Sequence, residues 1–190
     1  MISIIDYGIN NTSELINKLE KLDIAYIKTK KESEIIASDR IIISDAQNLS
    51  KAVKRLHLLN LFSFIRILKK PVLGISLGME LLCEKFDAIA CLGIFPAEIL
   101  TNKKEGLLNG WHNVVCTQKN KLFAGIKDNS EFYFENNYYV EPNHSTVAAV
   151  NNNESFSAVV IKDNFYGVQF LPEKSGINGE KILKNFAALS

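Results

Sequence analysis

Four apolar residues, Val72-Leu73-Gly74-Ile75, run without a break into Ser76 and then into an amphipathic stretch that begins at Leu77. A short apolar run that passes at once into a helical pattern reads as a buried strand turned sharply into a helix. Gly74 and Gly78 flank the junction, which gives the arrangement G-x-S-x-G. In such a nucleophile elbow the turn presents the central side chain, here Ser76. The next backbone N–H, that of Leu77, and the helix N-terminus favour an adjacent oxyanion. Geometry is half of a catalyst, because a serine hydroxyl is a weak nucleophile until a neighbouring base takes its proton.

The stretches around the elbow predict the same kind of unit repeated. "ISIID" reads as a strand and "NNTSELINKLEKL" as a helix, with Asn11 placed to cap it and Glu14 at N3. Leu15, Ile16, Leu19 and Leu22 line one face of that helix. "AYIKT" and "RIIIS" are strands around a short helix "KESEIIAS", and a longer helix is expected from about Lys51 to Leu68. Strands joined by helices imply a parallel sheet with right-handed crossovers. The second half changes character: "AEILT", "NVVCTQ", "EFYFENNYYV", "TVAAV", "FSAVVI" and "FYGVQF" are strand-like runs linked by short turns, Lys162-Asp163-Asn164 among them. A last helix, about Gly179 to Leu189, buries Ile182, Leu183 and Phe186. With no linker, repeat or low-complexity segment, residues 1–190 are expected to form one α/β domain. Its parallel sheet continues into antiparallel strands. Ligands of such sheets collect beyond the carboxyl ends of the parallel strands, where Ser76 falls.

Composition excludes several classes of partner. The chain is 47% hydrophobic and 23% charged, with a formal net charge of +1. Its lysines are scattered in small groups rather than set in a basic stripe, so no nucleic-acid partner is expected. The longest apolar-rich region, "LHLLNLFSFIRIL", is interrupted by His57, Asn60 and Arg66 and falls short of the roughly 20 residues of a membrane span. The start "MISIIDYG" is a strand pattern, without the features of a signal peptide. Cys83, Cys91 and Cys116 show no C-x-x-C spacing, which fits a reducing compartment and no metal site. A cytoplasmic location follows. Cys83 lies about 10 Å along the helix from the elbow and reads as core. Of three histidines, His57 reads as packing or surface, and His112 and His144 remain as candidate bases. His144 preceded by Glu135 or Glu141 meets the serine–acid–histidine chain order.

At "GVQFLPEKSG" (residues 167–176) a resemblance emerges. Together with "DYGINN", "PVLGISLGMELL", "GWHNV", "LFAGI" and "FYFENNYYV", it makes the chain similar to the class I (triad) glutamine amidotransferases. More narrowly, it resembles the glutaminase subunits of imidazole glycerol phosphate synthases, from residue 2 to residue 186. The resemblance implies a flavodoxin-like α/β fold, with a mostly parallel central sheet, helices on both faces and an antiparallel extension. It implies catalytic positions at Ser76, where the family has cysteine, at Leu171, where it has histidine, and at Glu173, which matches. It also implies an oxyanion N–H at Leu77 and a substrate-binding position at Glu80, where the family has glutamine. The family's oxyanion segment P-G-V-G is here Ser44-Asp45-Ala46-Gln47, and a carboxylate there opposes a developing negative charge. "ENNYY" stands where the family has V-H-S-Y-Y.

Trp111, Lys174 and Tyr138, with Tyr139 beside it, match positions that lie toward the family's partner, a cyclase-like (β/α)8-barrel protein. The implied assembly is a heterodimer with no cofactor and with glutamine or another amino acid as possible ligand. Removing nucleophile or histidine from a serine triad costs about a million-fold, near 8 kcal/mol. A carboxylate is too weak a base to replace that histidine. The expectation is therefore a subunit that has lost glutaminase activity and binds or regulates a barrel protein. The alternative is a working glutaminase that supplies ammonia for histidine or for amino-sugar and surface-polysaccharide synthesis. A third reading, a sensor of cationic ligands, draws on Glu80, Asp45 and Glu173.

Overall fold

A computed structural model describes residues 1–101, 109–151 and 155–189. The first half alternates strand and helix: β1 (Ile2–Ile5), α1 (Ser13–Lys21), β2 (Tyr26–Thr29), α2 (Glu32–Ala37), β3 (Arg40–Ile43), α3 (Leu49–Leu58), α4 (Leu61–Arg66), β4 (Val72–Ile75) and α5 (Leu77–Leu82). Strands dominate the second half: β5 (Lys85–Phe86), β6 (Ile89–Ala90), β7 (Glu98–Thr101), β8 (Asn109–Cys116), β9 (Ser130–Glu135), β10 (Tyr138–Tyr139), β11 (Thr146–Asn151), β12 (Ser155–Lys162) and β13 (Phe165–Val168). A 3-10 turn over Pro172–Lys174 leads into the last helix, α6 (Gly176–Ala187).

Nine strands form the main sheet in the order β2-β1-β3-β4-β13-β12-β11-β8-β9. The run from β2 to β13 is parallel, and β12, β11, β8 and β9 extend it antiparallel. Strands buried on both faces read as near-continuous apolar runs, which is the pattern of β1, where the buried Ser3 is the one polar residue, of β3 after Arg40, and of β4. The two-residue period divides them between two cores. Ile42, Leu73 and Ile75 meet Leu15 and Leu19 of α1 and Ile182, Leu183 and Phe186 of α6. Ile41, Ile43 and Val72 meet α3, α4 and α5 through Leu49, Leu56, Ile65 and Met79. Helices thus cover both faces. A second, four-stranded sheet, β10-β7-β5-β6, stands beside the main one.

The structure departs from the expected elements at five places. The helix expected over 51–68 breaks at Asn60, whose φ of 58° turns the chain left-handed and separates α3 from α4. Asn11 does not cap α1: Thr12 is the N-cap, no side chain caps the helix, and the Asn11 N–H is spent on the Asp45 carbonyl. "EFYFENNYYV" is two strands in two sheets, parted at Asn136, which is buried and bonds through its side chain to the Gln169 carbonyl. "AEILT" joins the small sheet rather than the main one. The last helix starts three residues early, at Gly176.

The two glycines of the elbow are required by close approach. A Cβ on Gly74 would meet the Gly78 carbonyl carbon at 2.6 Å, and one on Gly78 would run into the Ile43 carbonyl, 2.8 Å from its carbon. Their absence lets α5 lie directly on β3 and β4. Gly78→Ala is expected to destabilise the fold by about 3 kcal/mol, as overpacking against rigid backbone does. A urea unfolding midpoint unchanged from the wild type would contradict this account of the junction.

Candidate functional site

Ser76 sits where β4 ends and α5 begins, with φ 54° and ψ −117°, a strained backbone for a residue with a side chain. Its N–H donates to the Val168 carbonyl of the neighbouring β13 at 2.8 Å, and its own carbonyl accepts from the Met79 N–H at 2.9 Å. The strain is held from both sides. The Leu77 N–H, the donor that an elbow offers to an oxyanion, already has a partner: it donates to Asp45 Oδ1 at 3.2 Å. The Ser76 side chain and the Ala46 backbone lie close to the same carboxylate. Burial raises the Asp45 pKa, and these three neighbours oppose the rise. A carboxyl group of the protein itself therefore takes up the Leu77 donor.

The segment that carries Asp45 is tied down locally. The Tyr7 hydroxyl donates to the Ser44 carbonyl at 2.6 Å, and Asn10 Nδ2 donates to Ser44 Oγ at 3.0 Å. Opposite, Leu171 is buried, and its N–H donates to the Tyr133 carbonyl at 2.9 Å. The next turn brings in Glu173, whose Oε2 is shielded from solvent and has no hydrogen-bond partner among the described residues. Burial, then Asp45 and Glu14, pushes the Glu173 pKa up to about 7. A cavity of about 90 Å3 lies here, lined by Asn11, Glu14, Asp45, Glu135, Leu171, Glu173 and Lys174. That is well below an ordinary small-molecule site. A larger cavity, about 500 Å3, lies at the far end of β8 beyond Cys116 and shares none of these residues.

Glu80 is buried on α5 and accepts from Gln169 Nε2 at 2.9 Å. Glu80 Oε2 and Gln169 Oε1 are both buried with no partner among the described residues. One proton resolves both, since a protonated Glu80 can donate to the amide oxygen while accepting from the amide nitrogen. Burial raises the Glu80 pKa to about 7 despite the Gln169 bond, which fits that state. Lys174 pairs with Glu135 at 2.8 Å and Glu14 at 3.4 Å, and its ammonium lies 5.9 Å from the centre of the Tyr133 ring. Trp111 packs edge-on to the same ring and is 53% exposed. Tyr138 lies on β10, against Phe86 at 4.7 Å.

The sequence profile of the family Glutamine amidotransferase class-I matches residues 3–189. The chain belongs to the class I glutamine amidotransferases. It is 34% identical to the imidazole glycerol phosphate synthase subunit HisH of Escherichia coli K12, over 97% of each chain. The HisH subunit of Bacteroides fragilis is also 34% identical, over 99% of each. Solved structures agree on the fold. One glutamine amidotransferase superposes at TM-score 0.78 and 12% identity, over 99% of each chain. Another, from Thermotoga maritima, does so at 0.68 and 14%, over 97% of this chain and 81% of that one.

Against the triad of the amidotransferases, the structure brings Leu171, Glu173 and Asp45 around one cavity, with Ser76 beside Asp45. The remaining histidines are elsewhere. His112 lies on β8 and packs edge-on to Phe134 and Phe156, and His144 is exposed in the turn before β11. The described residues that line the cavity include neither. His57 stacks on Phe62, and Cys83 is buried with its thiol pushed up by burial. Two residues of this amidotransferase site went unread in the sequence. Gln169 is a lone amide in an apolar strand run, a signal that was available, whereas nothing marks Asn136 as buried.

The two raised carboxyls set a pH dependence. With folded pKa values of about 7 against an ordinary value of 4.5, Glu80 and Glu173 hold extra protons in the folded state between those limits. Their stabilisation is complete below about pH 4.5 and is lost as pH rises through 7. Glu80→Gln keeps the acceptor and supplies a permanent donor to Gln169 Oε1. The variant is expected to raise the urea midpoint more at pH 8 than at pH 5. An equal change at both pH values would count against a protonated Glu80.

Proposed function

We propose that this chain is a HisH-like amidotransferase subunit without glutaminase activity that binds, and stabilises or regulates, a cyclase-like (β/α)8-barrel protein as a heterodimer in the cytoplasm. The observation that carries the reading is the Asp45 carboxylate on the Leu77 N–H, with the Ser76 side chain beside it. An oxyanion hole must offer donors to a charge that develops during reaction, and here a resident charge holds them. The position of the base is an aliphatic side chain, Leu171. A cavity of about 90 Å3 adds that glutamine has little room.

What remains supports binding. Trp111 stays exposed on Tyr133 beside Lys174, the arrangement of an aromatic and a cation that interfaces favour. The HisH relatives are by name subunits of a synthase. Against a working glutaminase stand the positions of His112 and His144, since an alternative base must reach the Ser76 hydroxyl within about 3 Å. Among the described residues no helix is long and apolar enough to cross a membrane.

The direct test is glutamate release from glutamine by the purified chain, alone and with a barrel partner, beside a Ser76→Ala control. No activity above the control is expected in either state. Ser76→Cys is expected to stay inactive as well, because Leu171 and Asp45 are unchanged. Activity that Ser76→Ala abolishes would overturn the reading and restore the ammonia-supplying alternative.

A further inference from the structure

We propose that the outer face of α3 and α4 is a docking surface for a membrane leaflet that carries anionic lipid. Six of the chain's 22 lysines and arginines lie between Asp45 and Glu80, and none of its 21 acids does. They are Lys51, Lys54, Arg55, Arg66, Lys69 and Lys70. The groups "KAVKR" and "RILKK" are separate in sequence, but α3 and α4 pack on one another over the same core. Helical period puts Leu49, Ala52, Val53 and Leu56 of α3 inside and turns Lys51, Lys54 and Leu58 outward. Leu58, 74% exposed, sits at the middle of that outward stripe. The end of α4 repeats the combination, with Ile67 71% exposed between the exposed Arg66 and Lys69.

The charge of this face is not balanced from within. Arg55 and Lys70 spend donors on the carbonyls of Tyr7, Ile36 and Ser38. Asp39 and the turn that holds Asp163 come near Lys70. Lys51, Lys54, Arg66 and Lys69 are in none of the ion pairs among the described residues. With all its acids elsewhere, the rest of the chain is net acidic, so the cations form a one-sided patch.

Chemistry narrows the occupant. A layer of anionic headgroups attracts clustered lysines, and exposed aliphatic tips enter its acyl boundary. A protein interface fits less well, because its centre is depleted in lysine and built on aromatic and arginine anchors. A two-fold pairing of copies through this face sets lysine against lysine. Nucleic acid gains nothing from Leu58 and Ile67, since its affinity comes from phosphate contacts. Position fits as well. Residues 67–71 lead into β4 at one end and Ser76 leaves it at the other. A leaflet held at Ile67 and Lys69 therefore leaves the elbow open to a ligand or partner of its own.

The test is sedimentation of the purified chain with vesicles of about 30% phosphatidylserine in phosphatidylcholine, beside vesicles of phosphatidylcholine alone. Binding to the first and not the second is expected, with release in about 0.5 M NaCl, because salt screens exposed charges. Each lysine near such a surface is worth about five-fold in affinity. Lys51→Gln/Lys54→Gln/Lys69→Gln is thus expected to weaken binding about a hundred-fold. Leu58→Ser/Ile67→Ser is expected to weaken it about ten-fold. A control, Lys119→Gln/Lys121→Gln/Lys127→Gln, removes the same charge from exposed positions between β8 and β9 and is expected to bind as the wild type does. No binding to phosphatidylserine vesicles, or an equal loss in the control, overturns the proposal. Capture by duplex DNA or by polyglutamate without vesicle binding overturns it in favour of a nucleic-acid or an acidic protein partner. The subunit reading stands or falls separately, on glutaminase activity and on binding of a barrel protein.

Discussion

Backbone touching backbone at Gly74 and Gly78 is the constraint on which the rest of this molecule depends. A helix normally stands off a sheet by the length of its side chains, yet α5 rests on β3 and β4 because neither glycine has a Cβ to intervene. That contact fixes the direction of α5 and forces Ser76 to φ 54°, a conformation that only a closely fitted surrounding maintains. It also sets the Leu77 N–H opposite the end of β3, so whatever residue follows Ser44 meets that donor. Here it is an aspartate. Shape that would suit an oxyanion suits a resident carboxylate equally well.

Electrostatics then follow from two substitutions. With Asp45 on the elbow, negative charge is present at the site before any ligand arrives. The aliphatic Leu171 beside the same cavity offers Glu173 no hydrogen-bonding side chain, and Glu173 is left against Asp45 and Glu14. The acids nearer the surface can find relief in Lys174, but the buried ones cannot. Glu80 is handled differently: it is seated against an amide that can reciprocate, so a proton serves where no cation is near. The same family scaffold thus shows two distinct solutions to a stranded carboxyl within one site.

Much of this was legible in the residues. Unbroken apolar runs, three residues in β3 and four in β4, announce those strands, and the spacing of Leu15 and Leu19 announces α1, because burial and helical period leave direct marks. The elbow and its neighbours Asp45, Leu171 and Glu173 were recognisable as a group that would meet. The break at Asn60 was not, because asparagine adopts a left-handed turn without the glycine or proline that usually signals one. Nor was the division of "EFYFENNYYV", where the side chain of Asn136 replaces a continuing ladder with bonds to Gln169 and Glu135. Two-residue strands such as β5 and β6 have too few positions to show any period.

The parallel pairing of β4 with β13 has a consequence for how the chain reaches its native state. Val72 lies in register with Phe165 and Ile75 with Val168, so the two halves of the site sit on adjacent strands separated by about ninety residues of chain. Such a pairing cannot nucleate locally, because the loop it closes spans α5, the small sheet and four of the antiparallel strands. Until β13 arrives, β4 is an open, wholly apolar edge able to template association between chains. A nascent or truncated molecule that ends before the last strand is therefore exposed to aggregation along β4, a strand wholly buried in the finished protein.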